Sequence, residues 1–321
     1  MKNLKFIDLC AGIGGFRAAF EDSTTHCQLT CEIDKFCHTT YSNNFTDLSF
    51  EKDITKIDEF SLEDFDILCA GFPCQAFSLG GKKEGFKDIR GTIFFDIVRI
   101  LNEKRPSSFI LENVKNLKRH DKGNTFKVIE QKLDELNYWY ADLLVNAKHF
   151  VPQKRERIYI VGLSKDIFTK AEFDNLINNI QTKYNIIKQN ELPNFKDILE
   201  TTVHDKYTLS DKLWSFLQSH ANKHALKGNG FGFGLMNPQE DMTSRTLTAR
   251  YYKDGSEILV AQKGKNPRRL TPRECARLMG YDDSFKIVVS DTQAYKQFGN
   301  SVVVPVVKLF ADEIKSLLHN K

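Results

Sequence analysis

Short β-rich runs alternate with helix-like stretches through the first half of this chain, and that alternation limits its fold more than any other feature. Residues 5–9 are followed by a glycine-rich turn and a helical stretch at 16–21, and residues 29–33 precede a helix-like 35–43. Residues 66–70 run into a loop, and 92–101, 108–111, 125–136 and 157–162 continue the pattern. Strands separated by helices pair in parallel, because each helix carries the chain back across a face of the sheet. The expected fold is α/β, a doubly wound, mostly parallel sheet covered on both faces. In such sheets ligands bind past the carboxyl ends of the strands, and the residues with chemistry to offer fall there.

After Leu163 the rhythm changes. Residues 166–190 are polar and helix-like, 191–194 form a break, and 227–235 are rich in Gly and Phe. Residues 245–249 and 257–261 read as short strands around the turn Lys253-Asp254-Gly255. Helical pattern resumes at Thr271-Pro272-Arg273-Glu274, where Thr271 caps, Pro272 suits the first turn and Glu274 closes a capping box. A last helix is expected over 304–318, returning to the first domain. The expected division is a main domain at 1–187, a smaller β-containing domain at 188–268 and a return segment at 269–321. Between Thr201 and Arg269 there are 11 Lys/Arg against 6 Asp/Glu, an excess larger than the net +4 of the whole chain. A basic segment on a near-neutral body points to a polyanion partner.

No apolar run approaches the ~20 residues that span a bilayer, and the first residues are too briefly apolar for a signal peptide. A cytoplasmic protein without membrane contact is expected. The cysteines number seven, which argues against a disulfide framework. Cys27, Cys31 and Cys37, flanked by His26 and His38, do not repeat a metal-binding CxxC pair, and no metal site is expected.

Two segments carry candidate chemistry. The first, Phe6-Ile7-Asp8-Leu9-Cys10-Ala11-Gly12-Ile13-Gly14-Gly15-Phe16, reads as strand, glycine turn and helix start. Glycines let backbone approach a ligand closely, and the following helix amides face it. Glu32 ends the next strand, twenty residues beyond Gly12, where an acid takes both ribose hydroxyls. Asp53, near a third strand end, is placed to meet an adenine amino group or to cap its own loop. The set suits an adenosine-bearing cofactor without naming one, and the early third glycine departs from the GxGxxG of nicotinamide enzymes. The second segment is Gly71-Phe72-Pro73-Cys74-Gln75. A cysteine directly past a strand end, after a φ-fixed proline, is poised as a nucleophile rather than as a small buried hydrophobe.

Taken with Glu112-Asn113-Val114, Gln153-Lys154-Arg155-Glu156-Arg157, Arg273–Gly280 and Gly299-Asn300-Ser301-Val302, these segments resemble, in order and spacing, the motif series of bacterial cytosine-C5 DNA methyltransferases. Only about 164–242 lacks a general motif, and there the family carries its variable target-recognition region. The resemblance implies the S-adenosylmethionine-dependent methyltransferase fold and S-adenosyl-L-methionine as cofactor. It implies Gly12, Gly14, Phe16, Glu32, Ile33, Asp53, Ile54, Pro73, Asn300 and Ser301 at the cofactor. It departs from the family at Ile33, where many relatives stack an aromatic on the adenine, so somewhat weaker cofactor affinity is expected.

The implied chemistry is attack of the Cys74 thiolate on C6 of cytosine, with Glu112 donating to N3. Arg155 and Arg157 share a strand face, one reaching O2 of the base and the other orienting partners or phosphate. Cytosine inside stacked duplex is out of a thiolate's reach, so the base must be flipped out. Gln75, then Ser78, Lys82, Lys83 and Arg90 on a glycine-rich lid over 78–90, and Lys227, Arg245, Thr246, Arg250, Tyr251 and Lys253, in the variable region, are the expected DNA contacts. The partner implied is double-stranded DNA with a short palindromic site. Sites beginning CC, such as CCGG or CCWGG, suit the variable segment, and a GCGC-type site suits the core motifs. A monomer in a bacterium or phage, with a cognate restriction endonuclease, completes the expectation. A tRNA-methylating relative would carry a Cys-Phe-Thr run absent here, and a dehydrogenase would leave Pro73-Cys74-Gln75 and Glu112-Asn113-Val114 idle.

Overall fold

The structure, a computed structural model, describes residues 2–46, 49–73, 93–228, 232–240 and 243–321. Among them a seven-stranded sheet forms the frame, in the order β3-β2-β1-β4-β5-β7-β6. Its strands are β1 (Leu4–Leu9), β2 (Thr25–Cys31), β3 (Phe50–Glu51), β4 (Ile67–Gly71), β5 (Ser108–Val114), β6 (Tyr138–Asn146) and β7 (Glu156–Ser164). The first five run parallel, while β7 lies antiparallel between β5 and β6. The near-continuous apolar strands explain the parallel part: Leu4, Phe6, Ile67, Leu68, Phe109 and Ile110 are all fully buried, as strands covered on both faces must be.

Strand order reverses between β1 and β4, the position at which a doubly wound sheet opens a crevice for ligands. The covering helices are α1 (Gly15–Phe20), α2 (Lys35–Asn44), α3 (Ile93–Lys104), α4 (Asn124–Glu135) and α5 (Lys170–Ile187). Thr169 and Glu172 close a capping box that starts α5. The last helix, α9 (Val304–His319), packs against α1, α5 and β1, so the end of the chain returns to the frame.

Helix α6 (Asp211–Ala225) and a separate three-stranded sheet of β8 (Leu235–Met236), β9 (Leu259–Gln262) and β10 (Lys265–Arg269) lie between α5 and the closing helices. A small cluster of Leu209, Leu217 and Leu259 serves this region. Met236, Leu247, Tyr251, Ile258 and Val260, by contrast, belong to the same buried cluster as the large sheet. The junction to α7 (Pro272–Leu278) is the capping box read from the sequence, with Glu274 fully buried and paired through two 2.8 Å hydrogen bonds to Arg268 of β10.

Two sequence expectations need correction. Residues 245–249 do not form a strand: Thr246 and Leu247 hydrogen-bond to Lys154 and Gln153 of the frame, while Arg245 reaches Gly232 and Thr248 reaches Glu257. The long strand β6 was not expected, because its burial is mostly partial and its alternation correspondingly weak.

Candidate active site

The glycine loop opens the crevice. Gly12 sits in a left-handed turn (φ 57°) that a side chain would strain, and its amide donates to Glu32 Oε2 at 2.7 Å. The other carboxylate oxygen accepts from the Asp34 amide at 2.8 Å, and Asp34 in turn caps α2 through the amides of Phe36 and Cys37. Glu32 therefore locks the glycine turn to the start of α2 while keeping lone pairs for a diol. Burial raises its pKa, and the amide hydrogen bonds pull it back.

These groups wall a cleft of about 710 Å³, within the range of small-molecule and cofactor sites. Phe16, Glu32, Ile33, Asp53, Ile54, Pro73, Asn300 and Ser301 all line it, so the residues expected at a cofactor are brought to one cleft; Gly14 (φ 85°) stands behind as the residue that turns the chain into α1. Ile33 is 76% exposed, an unusual state for a large apolar side chain, and its surface is free to cover a planar ring. Asp53 caps the short turn at Ile54–Lys56 through Thr55, which lowers its pKa, and it still faces the cleft. An acid at a strand end, an exposed apolar surface and a second acid together fit S-adenosyl-L-methionine. When bound there, it would supply an electrophilic methyl group.

At the other end of the cleft stands Glu112. It is in register with Gly71 of β4, so β4 and β5 bring its carboxyl beside the segment that leads to Pro73. Asn113 fixes that segment: its amide donates to the Phe72 carbonyl at 2.9 Å while its own oxygen accepts from the Val114 amide. Burial raises the Glu112 pKa, opposed by the charges of Arg157 and Arg155. A proton on this carboxyl at neutral pH is therefore easier to hold than on an exposed one.

The two arginines do not share a task. Arg157 Nε lies 3.1 Å from Glu112 Oε1, orienting the carboxyl. Arg155 is buried in the cleft wall, giving Nη1 to the Leu247 carbonyl at 2.9 Å and Nη2 to the carbonyls of Gly299 (3.2 Å) and Ser301 (2.8 Å). Burial, together with the Arg157 charge, lowers its pKa to about 9, so it remains charged at neutral pH. Both arginines nonetheless line the cleft, two residues apart at the entrance to β7.

Gln153 adds a second tie: its Oε1 accepts from the Leu247 amide at 2.8 Å while Nε2 donates to the Leu278 carbonyl. Gly299 completes the contact. A Cβ there would meet the Thr248 carbonyl at 2.3 Å, so bare backbone packs on backbone.

Several expected positions fall elsewhere. Cys74, Gln75, Ser78, Lys82, Lys83 and Arg90 lie outside the described residues. Lys227, Arg250 and Lys253 are exposed. Arg245 is also exposed, but braces the Gly232 carbonyl at 2.6 Å. Thr246 is bound to the Lys154 carbonyl. Tyr251 is corrected: it is fully buried, donating to the Ile258 carbonyl and accepting from the Leu270 amide, and cannot touch DNA.

Sequence reasoning also missed Gln297 on α8 (Asp291–Asn300). It is buried, accepts from Thr40 and lines the cleft. No local motif marks such a residue; only the packing of α8 on α2 does.

A family model described as C-5 cytosine-specific DNA methylase matches residues 4–316. The chain belongs to that family. It is accordingly an enzyme that methylates cytosine at C5 in DNA, with S-adenosyl-L-methionine as methyl donor. Type II methyltransferase M.SsoII of Shigella sonnei is 51% identical over 98% of this chain and 80% of its own length. The DNA-cytosine methyltransferase of Escherichia coli strain K12 is 42% identical over 97% of the chain and 78% of its own length. The crystal structure of S. pombe Dnmt2 methyltransferase overlays with a TM-score of 0.75, covering 99% of each chain at 20% identity, which speaks to the methylase fold. Among the described residues no helix is long and apolar enough to cross a membrane.

Proposed function

We propose that this methylase modifies one cytosine within a short palindromic duplex site, after flipping the base out, through a covalent bond from Cys74 to C6. The observation that carries the reading is the buried Glu112 carboxyl held by Arg157 at 3.1 Å, on the cleft that also holds the cofactor groups. In the proposed reaction the Cys74 thiolate adds to C6 while Glu112 gives a proton to N3. C5 becomes enamine-like and takes the methyl group. Loss of the C5 proton, expulsion of the thiolate and return of the N3 proton to Glu112 then restore the aromatic ring. Arg157 holds Glu112 and offers its remaining donors to O2, while Arg155 is a positioning residue.

Residues 188–268 are proposed as the target-recognition region, with Lys227, Arg250 and Lys253 toward DNA. The segment resembles those of methylases acting at sites that begin CC, such as CCGG or CCWGG, and we assign this enzyme to that group. Type II relatives support a place in a bacterial restriction–modification system, with a monomeric cytoplasmic enzyme beside a cognate endonuclease.

The test is a duplex carrying 5-fluorocytosine, in which fluorine blocks the final proton loss. Wild type should form a complex that survives denaturant, and Cys74→Ala should form none while still binding duplex. A denaturant-stable complex with the alanine variant would sink the assignment.

A further inference from the structure

The chain that leaves the carboxyl end of β5 carries an exposed set of cations that the reaction does not use. Residues 115–123 follow directly on Glu112, Asn113 and Val114, all three of which line the cleft, and they pack against β7 and α4. Lys115, Lys118, Arg119 and Lys122 are all exposed. Two of the four are neutralised locally: Lys115 pairs with Glu156 at 2.8 Å, and Lys118 with Asp142 at 2.5 Å. Arg119 and Lys122 have no ion-pair or hydrogen-bond partner for their side chains among the described residues.

The segment is nonetheless fixed in shape. Leu117 is fully buried beneath it. Asp121 (φ 47°) and Lys122 (φ 55°) are consecutive non-glycine residues in the left-handed region, followed by Gly123 (φ 91°). His120 Nδ1 lies 2.7 Å from Thr125 Oγ1 and Asn124 donates to Asp121 at 3.3 Å, holding that turn. Arg119 and Lys122 thus stand on or beside a braced turn of uncommon backbone geometry, with their charges open to an external anion.

Arg119 is five residues past Val114, so it sits at most ~18 Å along the chain from the cleft lining. A cytosine seated at Glu112 leaves its own strand across the mouth, and duplex DNA presents one charge per about 1.7 Å of axis. Several phosphates on either side of the flipped nucleotide then come within reach.

We propose that Arg119 and Lys122 form a phosphate clamp for the DNA strand flanking the flipped cytosine, separate from the recognition region. The inference rests on the DNA reading above. As phosphate contacts they position the duplex and carry no sequence information.

Titration of a fluorescein-labelled random-sequence duplex of about 30 base pairs, followed by anisotropy at several salt concentrations, tests this. Each of Arg119→Ala and Lys122→Ala should flatten the slope of log K against log salt by about 0.9, and the double variant by about 1.8. Arg119→Lys and Lys122→Arg should restore it. Cofactor affinity by calorimetry and the site methylated should stay as in wild type. A double variant with the wild-type slope overturns the clamp, as does a change of site preference, which would make these residues base readers. If wild type showed no salt-dependent duplex binding, the DNA reading itself would fall, an outcome distinct from loss of the clamp alone.

Discussion

The two walls of the cleft are built in different ways. The cofactor wall is local: Gly12, Glu32 and Asp34 lie within one β-α-β unit, and their hydrogen bonds close among themselves. The other wall is carried by residues 243–257, which line the cleft at Ala249; this segment has no regular strand, and its position depends on groups far away in the chain. Gln153, Arg155 and the bare backbone of Gly299 hold it, across sequence separations of about a hundred residues from the first two. A local wall is specified once its strands and turn form. A wall pinned from a distance is correct only when the whole frame is assembled, and its exposed surface is free to vary without touching the chemistry.

The largest effect should come from the chemical end of the frame. Glu112→Gln keeps shape but supplies the N3 proton poorly, so single-turnover methylation should slow by ~100-fold or more. Cofactor affinity should barely move. Because burial raises the Glu112 pKa, wild-type methylation should fall as pH rises and this carboxyl ionises, above the range of an exposed carboxylate, and the variant should lose that fall. A wild-type rate in the variant would remove Glu112 from the reaction.

Next comes the contact between the walls. Gly299→Ala places a methyl against the Thr248 backbone, which is not the flexible end of a side chain and must shift as a unit. Urea unfolding should show a loss of ~1–3 kcal/mol, the range for overpacking. Methylation should fall by more than cofactor binding does. Equal losses in both would mean that the two walls are not separable.

The difference between the walls also explains what the sequence disclosed. The parallel sheet was legible because apolar runs at residues 5–9, 66–70 and 108–111 bury both faces, and the capping box at Thr271 because its partner is three residues away. The cofactor lining was legible because Gly12 and Glu32 are linked through consecutive strand ends. The partners of Arg155 were not legible because nothing near it in the chain shows that Leu247, Gly299 and Ser301 would offer it three carbonyls. Tyr251 was misread because an aromatic among Arg and Lys looks like a DNA contact until the core closes over it. Gln297 and the left-handed turn at Asp121 leave no pattern at all.

The smallest effect lies beneath the glycine loop. Asp8 is fully buried, and burial pushes its pKa up to about 8 against the attraction of Arg17. An unfolded chain releases this proton near its ordinary value of 3.8, so between there and about 8 the native state binds more protons. Stability therefore falls as pH rises through that window and levels off above it. Asp8→Asn should flatten this dependence and gain on wild type at pH 9 relative to pH 5 in urea melts, with methylation little changed. Parallel curves for the two proteins would contradict a buried neutral Asp8.

The separation of chemistry from site choice is tested most directly by exchange of residues 188–268 for the same region of a relative with a known, different site. Methylation mapped by bisulfite sequencing on a plasmid from expressing cells should move to the donor's site, with the frame's Cys74 and Glu112 still required. An active chimera that continued to mark the original site would place recognition in the frame and contradict the account.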